Sequence, residues 1–274
     1  MLDLLKHDIR QGTIRMWQGY LFAFVICCCS SVYLKNVINS MNFSGSLVGS
    51  GTLIDYYMYS LKGMEVYKLT KDSFFQIPVY WFCYHIMLAY TIGRYTEKDI
   101  TDYGKNSILA TKTRTGWWLA KCLWCIFSVM LYYFMGFLGT MFYTVFANGK
   151  ISLHVTIELM KSFGQGLIYL SNDRILIMVL LLPCLVSIAV SMLQMLLSIK
   201  IGSVASFASI CILYILSAYY TSPFLLGNYT MWRRNNVVSI SSDIYMIIGI
   251  LISILLILIT IIIGMIYMDK KDII

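Results

Sequence analysis

The chain alternates long apolar runs with shorter polar stretches, and the runs have the length that a lipid bilayer requires. A helix rising 1.5 Å per residue needs about 20 apolar residues to cross a hydrocarbon core of roughly 30 Å. Runs of that order occupy about 17–34, 75–93, 117–146, 175–199, 201–221 and 244–268, and each is read as a transmembrane helix. Ahead of them, Leu2, Leu5, Ile9 and Met16 recur at helical spacing while Lys6, Asp8, Arg10, Gln11 and Arg15 fill the remaining positions. Residues 1–16 are therefore predicted to form an amphipathic helix in the membrane interface. The expected fold is an all-α integral membrane protein, a single transmembrane domain over 1–274 with six spans and an amino-terminal interfacial helix.

Local chemistry sharpens these boundaries. Trp17 and Tyr20 open the first run, and Trp117 and Trp118 the third, where an aromatic belt belongs. Pro78 falls in the first turn of the second run, where a missing N–H costs little. Residues 35–74, with Gly45, Ser46, Gly49, Ser50 and Gly51, read as a sizeable loop, 147–174 as loop with a short helix, and 222–243 as loop. Little but Lys200 separates the fourth run from the fifth, and one continuous helix there would invert all that follows. The first run lacks a small-residue cleavage site, so it is read as a retained span rather than a signal peptide.

Composition agrees. Hydrophobic residues make up 59% of the 274 and charged ones only 12%, against about a quarter in soluble domains. The net charge of +8 is scattered over the stretches between runs and forms no basic stripe, which fits lipid headgroups as partners and not nucleic acid. Placing both termini in the cytoplasm puts 12 Lys and Arg in 56 inside residues and 9 in 90 outside residues, about twice the density. The expected location is thus the plasma membrane, multi-pass. Asn42 and Asn228 begin glycosylation-like triplets, read as chance matches because the Ile, Lys, Tyr and Asn richness fits a low-GC bacterium.

Little in the runs carries chemistry. No Asp, Glu, Lys or Arg occupies a central position, which argues against a proton- or sodium-driven transporter. His85 lacks a His or carboxylate partner at helical spacing and is read as packed and hydrogen-bonded. All eight cysteines lie in apolar stretches, and the Cys122/Cys125 pair has no second pair to complete a metal site. No hydrolase or metalloprotease motif occurs, so no catalytic residue, metal or cofactor is expected. Ser187, Ser191, Gln194 and Ser198 fall at spacings of 4, 3 and 4 on one helical face, continued by Gly202, Ser206 and Ser209. Helix packing accounts for such a face; a substrate path or a contact with a second copy is the functional alternative.

The segment 93–124, GRYTEKDITDYGKNSILATKTRTGWWLAKCLW, mixes charges of both signs with apolar Ile100, Tyr103, Ile108 and Leu109. It resembles the loop after span two in permease subunits of the ABC-2 type among the ATP-binding cassette exporters. Glu97, Gly104, Lys112 and Arg114, followed by Trp117, Trp118 and Lys121, match the family's acidic residue, glycine and basic or aromatic approach to span three, and Asp99 and Asp102 between them join the candidate ATPase-coupling element. The Thr that often follows the glycine there is missing. The resemblance implies six spans per subunit, a second permease protomer, and a loop that couples to a separate cytoplasmic ATPase. The chain has no phosphate-binding Gly-x4-Gly-Lys-Ser/Thr loop, so ATP would be bound by that partner. The same resemblance makes 221–243 a candidate for re-entrant structure at the outer mouth, with Phe224, Leu225 and Leu226 dipping into lipid. Uncharged, aromatic runs with Tyr132, Tyr133, Phe134, Phe137 and Tyr143 suit an amphipathic cargo such as an antimicrobial-type peptide. The competing readings are a non-transporting receptor, scaffold or immunity protein and, least supported, an intramembrane enzyme.

Overall fold

The computed structural model describes residues 2–45, 49–67, 74–98, 114–163, 170–239 and 242–270. Among these it is all-α, with nine helices: α1 Leu2–Arg15, α2 Trp17–Phe43, α3 Leu53–Ser60, α4 Val79–Lys98, α5 Arg114–Phe146, α6 Ile157–Phe163, α7 Asn172–Ile201, α8 Ser203–Tyr219 and α9 Met246–Lys270. Four of them, α2, α5, α7 and α9, are long and apolar enough to cross a membrane. The chain is a multi-pass membrane protein. The helix at the second run, α4, has 20 residues but spends its last turns on Arg94, Glu97 and Lys98, and α8 is apolar but has only 17.

α2 continues nine residues beyond the expected end at Leu34, since Lys35 carries its ammonium to the Ala147 carbonyl (3.3 Å) at the end of α5. The second run starts later than expected. Its helix begins at Val79, with Pro78 just outside and the Pro78 carbonyl accepting the first amide, from Phe82 (2.9 Å).

The turn between α7 and α8 rests on Gly202, whose φ of +86° and ψ of 161° lie where only glycine is at ease. The chain therefore folds back there, and 175–221 is two helices. Earlier in α7, Ile177–Leu181 forms a π-turn ahead of Pro183. Proline supplies no N–H and its ring crowds the carbonyl four residues back, so the helix widens by one residue instead of kinking.

The largest departure from expectation is in 35–74. Residues 53–60, read as loop, form α3, and all eight are buried between α2 and α5. LIDYYMYS has no polar face because every side of it is covered. α3 and the turns of 220–239 close one end of the bundle, and α1 lies at the other.

Candidate functional site

At the α1 end, the helix expected to lie with Asp8 towards water instead buries it. Asp8, Gly12 and Met16, spaced by four, form the inward stripe of α1. Asp8 Oδ1 accepts from Lys121 Nζ at 2.6 Å and from the Tyr95 hydroxyl at 3.0 Å, with both charged residues about 1% exposed. Gly12 makes room for Trp124: a Cβ there would lie 2.3 Å from the indole nitrogen. Tyr95 packs on Trp124 with ring centroids 4.0 Å apart, and the Lys121 ammonium lies 5.3 Å from the Tyr95 ring. Asp8 Oδ2 and the indole N–H groups of Trp117 and Trp124 are buried without a hydrogen-bond partner among the described residues. One ion pair with partly met polar atoms thus fastens α1 to α4 and α5. In the sequence Asp8 reads as one of the polar positions of α1 and Lys121 as part of the basic approach to span three, and neither placement foresees their pairing; a glycine four residues after an acid on an apolar stripe was the available signal.

That clamp borders the segment thought to couple. Asp99, Asp102, Gly104 and Lys112 lie outside the described residues, as do the side chains of Glu97, in the last turn of α4, and Arg114, the first residue of α5.

Further along the bundle the interior carries neutral polar groups. His85 Nδ1 lies 2.7 Å from the Trp81 carbonyl, so Nδ1 bears the proton and Nε2 faces the Tyr133 hydroxyl at 3.3 Å. Tyr133 also meets Ser187 Oγ at 2.8 Å and the Pro183 carbonyl at 3.0 Å. Gln194 Nε2 donates to the Ala89 carbonyl at 2.8 Å and presses against Gly93, where a Cβ would come within 2.8 Å. The serine face therefore looks inward, onto α4 and α5. Ser198 and Ser206 turn their hydroxyls to their own helices, Ser191 is buried, and Gly202 is exposed at the turn. Beside this cluster, Tyr57, Tyr133, Phe134, Phe137, Leu180 and Cys184 line an open groove of about 250 Å³ between α5 and the π-turn of α7. Among the described residues, no three His, Cys, Asp or Glu converge as metal ligands.

The opposite end is knitted differently. The Asp55 carboxylate accepts from the Thr52 amide (2.8 Å), the Thr156 amide (3.1 Å) and the Thr156 hydroxyl (2.6 Å), capping α3 and tying it to the turn before α6. Burial raises its pKa above the ordinary carboxylate value despite these bonds. Arg234, 0% exposed, caps the last turn of α8 by donating to the Ser217, Ala218 and Tyr220 carbonyls, and it also reaches the Met64 and Glu65 carbonyls and Asn228 Oδ1. Burial lowers it to about 10, so it stays a cation at neutral pH. Asn228 is buried in this network, which makes its glycosylation triplet a chance match. Trp81 donates to Thr230 (2.8 Å) and Trp232 to the Met58 carbonyl (2.7 Å), locking the 220–239 turns onto α4 and α3.

Compared with known proteins, the chain matches no family model, no curated protein and no solved structure.

Proposed function

We propose that the chain is the membrane-spanning permease subunit of an ATP-driven exporter, with α4 and α8 completing six spans and the 93–124 segment docking on a separate cytoplasmic ATPase. The observation that carries this reading is the α1 clamp. Asp8, Tyr95 and Lys121 join the interfacial helix, the end of α4 and the start of α5, the two helices that the 99–113 connection links. A push on that connection would be delivered to all three as one body, which is what a coupling element needs. Packing between helices is bistable rather than soft, so such a displacement would reach the groove lined by Tyr133, Phe134 and Phe137 higher on α5. An uncharged aromatic groove with hydroxyls behind it suits an amphipathic or apolar cargo.

The test is co-purification from the native membrane after mild crosslinking. A cassette ATPase should accompany the wild-type chain and be lost from the double variant Asp99→Lys/Asp102→Lys, which should still insert. The reading fails if no ATPase accompanies the wild type, or if the double variant retains it.

A further inference from the structure

At the α3 end a second cavity, about 340 Å³, opens between the amino termini of α7 and α9 and the turn at 235–237. Its polar groups are Arg174, Asn235, Asn236 and Tyr245, and Met178 and Met246 give it an apolar floor. Three features of this cavity are unexplained by folding alone. Arg174 stands in the first turns of α7, where the helix dipole opposes a cation, and no carboxylate pairs with it among the described residues. Asn235 is only 3% exposed; its Oδ1 accepts from the Val237 amide (3.2 Å), while its Nδ2 has no hydrogen-bond partner among the described residues. The described walls contain no acid, although Asp173 and Asp243 are close in sequence.

The cavity thus offers a guanidinium, amide N–H groups and a phenol, with the amino termini of two long helices behind them. This is an environment for an anion. It lies where α7 and α9, two of the helices long and apolar enough to cross a membrane, begin. The rest of the lining, Leu170, Met178, Val237, Met246 and Ile247, is apolar, so an anion with a hydrocarbon tail fits the cavity and a bare one leaves most of it unfilled.

From this geometry we infer a phospholipid site: the phosphate rests on Arg174 with Asn235, Asn236 and Tyr245 around it, and an acyl chain lies along Met178 and Met246. A headgroup with net negative charge is favoured, because Arg174 brings a positive charge and the described lining holds no acid that would attract an ammonium. The site holds a lipid at the seam between α7 and α9 and does not depend on coupling to an ATPase.

Native mass spectrometry of the whole chain, released from detergent with added lipid, tests this. Wild type should keep one phosphatidylglycerol per chain and bind it at least about tenfold more tightly than phosphatidylcholine. Arg174→Gln changes an exposed side chain, so its melting temperature without lipid should stay near wild type while phosphatidylglycerol affinity falls about tenfold. Val237→Trp, placed to fill the cavity mouth, should block both lipids. A parallel arm uses millimolar inorganic phosphate, which should neither bind measurably nor displace the lipid. The inference is overturned if Arg174→Gln leaves lipid retention unchanged, if the two lipids bind equally, or if free phosphate competes as well as the lipid.

Discussion

The two ends of the bundle solve the burial of charge in opposite ways. At the α3 end, Arg234 spends its guanidinium on five carbonyls and an amide oxygen, and Asp55 accepts three hydrogen bonds. At the α1 end, Asp8 Oδ1 accepts from Lys121 and the Tyr95 hydroxyl, and Asp8 Oδ2 together with two indole N–H groups lacks partners among the described residues. A buried polar network that is fully met fixes one arrangement, while one partly met has little to lose by adopting another. The difference sets a densely bonded guanidinium at the α3 end, where Thr221 Oγ1 and Arg233 Nε still lack partners among the described residues, against a sparsely bonded ion pair at the α1 end.

The widest separation should come from truncating each anchor in turn. Arg234→Ala strands three buried acceptors, the Ser217 and Ala218 carbonyls and Asn228 Oδ1, and removes the cap of α8, so we expect a loss of about 4–5 kcal/mol, read as a large fall in melting temperature in detergent. The unfolding should remain a single transition, because the cap ties α3, α4 and α8 together. A near-neutral Arg234→Ala would show that the cap is not what holds this end.

Lys121→Met should cost less overall, about 3 kcal/mol, because it leaves the Asp8 charge buried without its cation. The double variant Asp8→Leu/Lys121→Met should recover most of that loss, since an apolar pair of similar volume replaces a desolvated ion pair. The ends should also differ in kind. Trypsin should gain access to Lys6, Arg10 and Arg15 in Lys121→Met as α1 lifts from α5, and should not in Arg234→Ala. If both single variants open α1 equally, the contrast between the ends is lost.

Which parts of this were readable in advance follows the physics of each element. α9 and α5 were legible because lipid demands an unbroken apolar run, and sequence displays that directly. α3 was not, since Asp55 and three tyrosines in a stretch bracketed by glycines look like a loop until helices from two distant stretches cover them. The burial of Lys121 was missed for a related reason: a single charge near the start of a span normally snorkels to the interface, and only the folded position of Asp8, 113 residues earlier, turns it inward. The serine face of α7 was visible as a stripe, but its partners on α4 and α5 were not. The π-turn was hinted at only by Pro183.

The smallest effect concerns the turn that decides the topology. Gly202 is exposed, and a Cβ there would meet nothing within 4 Å, so Gly202→Ala carries no packing penalty and only the conformational one. At φ +86° and ψ 161° that penalty is about 1–2 kcal/mol. Gly264→Ala makes the useful counterpart, because its Cβ would come within 2.1 Å of Trp118 and so disturbs packing between α5 and α9 without any backbone demand. Both should lower the melting temperature, but only the Gly264 defect should be relieved by shrinking the opposing ring, in Gly264→Ala/Trp118→Leu. A Gly202→Ala variant as stable as wild type would mean that α7 and α8 can join without this backbone geometry, and the sharp fold-back between them would then have to rest on the Gln194 and Tyr133 contacts made by α7 alone.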